Sequence, residues 1–116
     1  MIVVCSYPLR EGLGREEALA EVQASLPAYR GRPGLVRKTI ALDHDARRGH
    51  GIYLWADRAS AEAYYDDVLP MIEAQVGTRP TLDWYDAALD LDERAGTLHV
   101  GGEARPLPEA PRRDAG

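Results

Sequence analysis

The sequence predicts an α+β domain whose elements run in the order β-α-β-β-α-β. Three observations lead there. Short runs rich in β-branched and aromatic residues, such as Ile2-Val3-Val4 and Ile52-Tyr53-Leu54-Trp55, are too brief for stable helices and suit strands. Two longer segments repeat apolar residues at spacings of three and four, the period of a helix with one buried stripe. Clusters of Gly, Pro and Asp punctuate the chain between these segments.

Element by element, Met1 to Tyr7 is the first strand, and Pro8, which cannot donate to a ladder, ends it. Gly12 and Gly14 form a loop. From Arg15 the stripe Ala18, Leu19, Val22, Leu26, Tyr29 marks a helix with Glu16 and Glu17 in its first turn, where the helix dipole favours negative charge. Pro27 predicts an irregular last turn, and Arg30 to Gly34 stops the helix. Leu35 to Leu42 is the second strand, Asp43 to Gly49 a polar turn, and Ile52 to Trp55 the third strand of an antiparallel hairpin. Asp57 caps a second helix, because its carboxylate can accept the free N–H groups of the first turn. The stripe of that helix is Ala61, Tyr64 or Tyr65, Val68 and Ile72, and Pro70 is expected to break or bend it into two short pieces. Gly77 and Pro80 end it. Leu82 to Leu91 is the fourth strand. The order is that of the ferredoxin-like split unit. Residues 1–92 form this domain; residues 93–116, rich in Gly, Pro and Arg, form a C-terminal extension that allows one edge strand at Leu98 and is loose beyond Gly102.

Composition limits the function classes. The length of 116 residues suits one domain, with 45% hydrophobic and 28% charged residues, a globular composition. No apolar run approaches the roughly 18 residues that span a bilayer, and the first strand lacks the basic start of a signal peptide. No membrane role and a cytoplasmic location are expected. Cys5 is the only cysteine, which excludes an internal disulfide and fits a reducing compartment. The net charge is −5 and the basic residues form no single stripe, which argues against a nucleic-acid partner.

The strands are apolar at both parities: Ile2 and Val4 against Val3 and Cys5, Ile52 and Leu54 against Tyr53 and Trp55. Such strands are covered on both faces. Two helices cover only one, so a second copy of the chain closing sheet on sheet is the expected cover, giving a homodimer.

Pro33-Gly34-Leu35-Val36-Arg37-Lys38, the hairpin, Gly51-Ile52-Tyr53-Leu54-Trp55 and the helix opening Ala61-Glu62-Ala63-Tyr64 resemble the YdhR-like monooxygenases. These belong to the antibiotic biosynthesis monooxygenase group of dimeric α/β barrels. The resemblance covers about residues 1–92. It implies a pocket in each subunit between the sheet and its own helices. It further implies a cofactor-independent oxidation, by molecular oxygen, of a small phenolic or anthrone-like aromatic of polyketide type, with no flavin, haem or metal. The same scaffold carries cyclases, isomerases, haem-degrading oxygenases and non-catalytic stress proteins, so fold alone does not choose among them. The haem-degrading relatives use an Asn on the first strand and a His on the second helix; this sequence has no Asn, and residues 58–79 contain no His.

Four of the eight aromatic residues fall within Gly51 to Tyr65. Tyr64, on the helix over the sheet, is a candidate catalytic hydroxyl; a half-buried core tyrosine is the plainer reading. Trp55, Tyr53 and Tyr65 are candidate walls for a flat substrate, and each also suits ordinary core. Trp84 faces either the pocket or the dimer seam. Arg37 and Lys38 are strand neighbours and point to opposite faces; one of them is expected to touch the pocket, where it would stabilise a phenolate or developing oxyanion, or an interface carboxylate such as Asp83 or Asp86, and a structural salt bridge is the plainer reading. Asp43, His44, Asp45 and His50 match no defined metal site, and no metal is expected. Cys5 is expected buried and inert, and no Gly-rich phosphate loop follows a strand.

Overall fold

The computed structural model describes residues 1–114. It divides into two compact units, Met1–Tyr85 and a second that begins at Asp86. The first contains β1 (Ile2–Pro8), α1 (Arg15–Ala24), a 3-10 turn (Leu26–Ala28), β2 (Leu35–Asp43), β3 (Arg48–Trp55), α2 (Arg58–Val76) and β4 (Thr81–Tyr85). The four strands form one antiparallel sheet in the order β2-β3-β1-β4, the predicted ferredoxin-like arrangement.

Register assigns the faces. Val3 lies between Tyr53 and Trp84, and Cys5 between Gly51 and Leu82. These residues share the helix-covered face with Trp55 and with Lys38, which pairs with Tyr53. A bulge between Leu35 and Arg37 makes this possible. It inserts one residue, so that Leu35 and Lys38, three positions apart, project to the same side. Ile2, Val4, Thr39, Ile52, Leu54, Tyr85 and Arg37 lie on the opposite face. The core is Val3, Cys5, Tyr53 and Trp55 of the sheet under Ala61, Tyr64, Tyr65, Val68 and Leu69 of α2.

Asp57 caps α2 as expected, its carboxylate accepting from the Ser60 N–H at 2.7 Å. Pro70 does not divide that helix, which runs unbroken to Val76. The proline faces water, as does Asp66, whose carbonyl loses its helical donor. Water can satisfy that carbonyl while the buried side of the helix holds its course. Pro27 falls in the first turn of the 3-10 segment, where a missing N–H costs nothing. Within α1 only Ala18 is buried, because the space beneath this helix is cavity and not packed core.

The expected fourth strand over Leu82–Leu91 is two strands in different sheets. After Tyr85 the chain leaves the first sheet, and β5 (Leu89–Asp92), β6 (Thr97–Val100) and β7 (Glu103–Arg105) form a second, in the order β5-β6-β7. Leu98 is therefore in a central strand, not on an edge, and Glu103–Arg105, just beyond Gly102, pair with that strand, while positions 106–114 have no regular secondary structure. Gly101 and Gly102, both at positive φ, make the two-residue turn of the β6–β7 hairpin, a turn whose twist matches that of its strands. The last positions of the extension, 115 and 116, lie outside the described residues. No helix among the described residues is long and apolar enough to cross a membrane.

Candidate functional site

A cavity of about 540 Å³ lies in the first unit between the sheet and its two helices. That volume suits a small organic ligand. Its floor is made low by two glycines of β3. A Cβ on Gly51 would stand 2.9 Å from Cε1 of Tyr53, and one on Gly49 2.5 Å from Cε2 of Tyr7. Absence of both side chains lets the two rings lie down on the sheet. Alternating glycines in a strand, Arg48-Gly49-His50-Gly51, are the sequence signal for such a close approach.

Lys38 projects into this space. Its Nζ lies 3.4 Å from the centroid of the Tyr29 ring and 4.4 Å from that of Tyr53. Both ring faces attract the cation. Burial works the other way and pushes the ammonium pKa down to about 8 from 10.5, because the charged form loses hydration. Cys5 borders the same cavity; burial raises its thiol pKa, partly offset by Lys38.

Tyr53 and Tyr64 meet by their hydroxyls at 3.3 Å, buried at the cavity wall. Burial raises both phenol pKa values. For Tyr64 this is opposed by the hydrogen bond from Tyr53 and by Arg32, so Tyr64 is the better placed of the two to carry negative charge. The Arg32 guanidinium sits 5.1 Å from the Tyr64 ring centroid and is held by Asp67 at 2.7 Å and the Ala28 carbonyl at 2.9 Å. At the rim, Arg10 contacts Glu17 and Glu21 of α1.

Of the candidates read from sequence, the structure brings Lys38, Tyr53 and Tyr64 together on the cavity wall. Trp55, Tyr65 and Trp84 form the core beside it. Trp55 donates its Nε1–H to the Tyr65 hydroxyl at 3.2 Å, and the Tyr65 ring stands edge-on to Trp84 with centroids 5.7 Å apart. Trp84 is thus on the helix face, with Arg58 4.6 Å above its ring. Arg37 lies on the other sheet face, since it pairs with Leu54 and not with Tyr53. Tyr7 and Tyr29 were missed as wall residues. Tyr29 follows the 3-10 turn after α1, outside the helix stripe, and that turn carries its ring over Lys38. His50 accepts from or donates to Ser6 Oγ at 2.8 Å, and no group of three or more metal-ligating side chains occurs among the described residues.

No protein-family model matches the chain, and no curated protein does. Solved structures are similar in fold. A mutant of MhuD with two manganese protoporphyrin IX groups bound per active site superposes with a TM-score of 0.59, at 18% identity, over 78% of this chain and 97% of its own. The protein SO0527 of Shewanella oneidensis gives 0.56 at 19% identity, over 72% of this chain and 86% of its own. An antibiotic biosynthesis monooxygenase gives 0.53 at 18% identity, over 75% of this chain and 98% of its own. The chain shares the α+β ferredoxin-like fold of these structures.

Proposed function

We propose that the protein is a cofactor-independent monooxygenase, acting as a homodimer on a small phenolic or anthrone-like aromatic of polyketide type. The observation that carries this reading is Lys38, an amine poised to titrate near neutral pH inside a cavity walled by Tyr7, Tyr29, Tyr53 and Tyr64. A flat ring fits between such walls. In its neutral form Lys38 takes the proton of an acidic phenol or enol, and the resulting ammonium stays beside the oxyanion it has made. The Tyr53–Tyr64 pair supplies donors for a second substrate oxygen. The electron-rich anion then reduces molecular oxygen itself. One oxygen atom ends on the ring carbon as a carbonyl and the other leaves as water, so that CH₂ plus O₂ gives C=O plus H₂O. The protein binds, desolvates and moves the proton.

A porphyrin, as in the MhuD neighbour, finds no imidazole here, since no histidine borders the cavity. The test is oxygen uptake by the purified protein with an anthrone or quinol and no flavin, haem or metal added. Uptake that survives a chelator supports the reading. Full conversion under argon would instead assign a cyclase or isomerase that uses the same Lys38 without oxygen. Failure to bind any flat aromatic would leave a non-catalytic protein.

A further inference from the structure

The chain contains thirteen arginines and one lysine, and the one lysine lines the cavity. Arginine cannot lose its proton in a protein, and it carries no primary amine. No other cationic side chain can therefore form an imine with a simple aldehyde or ketone. The single side-chain primary amine sits where a small molecule can reach it. Its neighbours are two ring faces and a thiol. Among the described residues no carboxylate forms an ion pair with its ammonium.

We propose that Lys38 captures carbonyl compounds: its amine condenses reversibly with a small aromatic aldehyde or ketone in the cavity to give an imine. The nitrogen lone pair attacks the carbonyl carbon, and a proton passes from nitrogen to oxygen to give a carbinolamine. The C–O bond then breaks, water leaves with a proton from an acid, and a C=N bond remains. No electrons are exchanged with another reactant. The Tyr53 and Tyr64 hydroxyls are the acids on the same wall. The rings of Tyr29 and Tyr53, which attract the ammonium, attract a protonated imine in the same way. Burial supports the step by raising the neutral fraction of the amine. The capture rests on the cavity and the amine, not on oxygen chemistry, and survives a failure of the oxygen-uptake test.

The probe is benzaldehyde with sodium cyanoborohydride, which fixes an imine as a stable benzyl adduct on the full chain. Peptide mapping assigns the adduct to Lys38 or to the Met1 amine, the only other primary amine. The same labelling in urea gives the rate for an ordinary lysine. With the pKa at about 8 and not 10.5, labelling of Lys38 at neutral pH should be at least about tenfold faster in the folded chain than in the unfolded one. It should saturate with benzaldehyde and be slowed by phenol, which fills the cavity without reacting. K38R should lose the saturable phase and keep the labelling of Met1. Labelling of Lys38 no faster than in urea, or linear in benzaldehyde and indifferent to phenol, would overturn the proposal.

Discussion

Lys38 and Tyr29 face each other across the cavity, with Nζ 3.4 Å from the ring centroid, and the contact sets two opposing effects on one charge. The ring favours the ammonium and burial disfavours it. Burial prevails in the pKa, which falls from 10.5 to about 8. Between those values the unfolded chain holds more protons than the folded one, so stability rises with pH across that window. Below about pH 8 the burial cost of the charge is present in full. Lys38→Met, which keeps the length and removes the charge, should therefore be more stable than wild type at neutral pH. Its advantage should shrink steadily from pH 8 to 10. Urea midpoints for both proteins across this range provide the check; a gap that does not change with pH would mean that burial does not control this group.

The Tyr53–Tyr64 hydroxyl pair predicts a coupling. Removing one hydroxyl leaves the other buried without its partner, which costs about 1–3 kcal/mol, whereas removing both leaves nothing unpaired. Tyr53→Phe and Tyr64→Phe should each destabilise, and the double variant should lose less than the sum. Tyr64→Phe should also slow turnover more, since the Tyr64 oxygen is the one supported by Arg32. Additive losses in a double-mutant cycle would show that water already satisfies both groups.

Much of the fold was legible because its signals are local. Asp57 caps α2 through its own side chain, and Tyr53 and Trp55 share a face through strand period alone. Arg37 and Lys38 had to diverge for the same reason, but which of them entered the cavity depended on a bulge at Val36 that leaves no clear mark in sequence. Trp55, Tyr65 and Trp84 looked like a binding wall because an aromatic run looks the same in a wall and in a core. Only packing distinguishes them. Pro70 and the division of Leu82–Leu91 were misjudged because each was decided by context: which side of a helix faces water, and where a strand finds its partner.

Trp55 accordingly separates stability from binding. It is 1% exposed and does not border the cavity. Trp55→Ala should cost about 3–5 kcal/mol, as for other fully buried large rings. The smaller change Trp55→Phe keeps a ring and leaves the Tyr65 hydroxyl without its indole donor. It should lower the melting temperature while leaving affinity for a flat aromatic within about twofold, as expected for a residue with no ligand contact. Gly51→Val should do the reverse to binding. A side chain there meets Tyr53 and intrudes on the cavity floor, so affinity should fall sharply, together with about 1–3 kcal/mol of stability from overpacking. Isothermal titration and thermal melts on the two variants give the comparison, and equal losses of affinity would show that the core and the wall are one unit.

The outer sheet face carries the final prediction. Ile2 pairs with both Leu54 and Tyr85, and Ile52 with Val4, so these five residues form an apolar patch, bordered on the same face by Arg37, Thr39 and Asp83. Ile52 is 38% and Tyr85 54% exposed, large apolar groups left in contact with solvent in the isolated chain. A second copy of the same face would cover this patch, and Ile52, on the inner strand β3, would lie within such an interface. Light scattering at micromolar concentration should give twice 12.8 kDa. Ile52→Asp places a charge in the patch and should shift the mass to that of one chain. Because Ile52 points away from the cavity, benzaldehyde labelling of Lys38 in any folded Ile52→Asp monomer should stay close to the wild-type rate. A wild-type protein that remains a stable folded monomer would exclude the sheet-to-sheet dimer, whatever the cavity does.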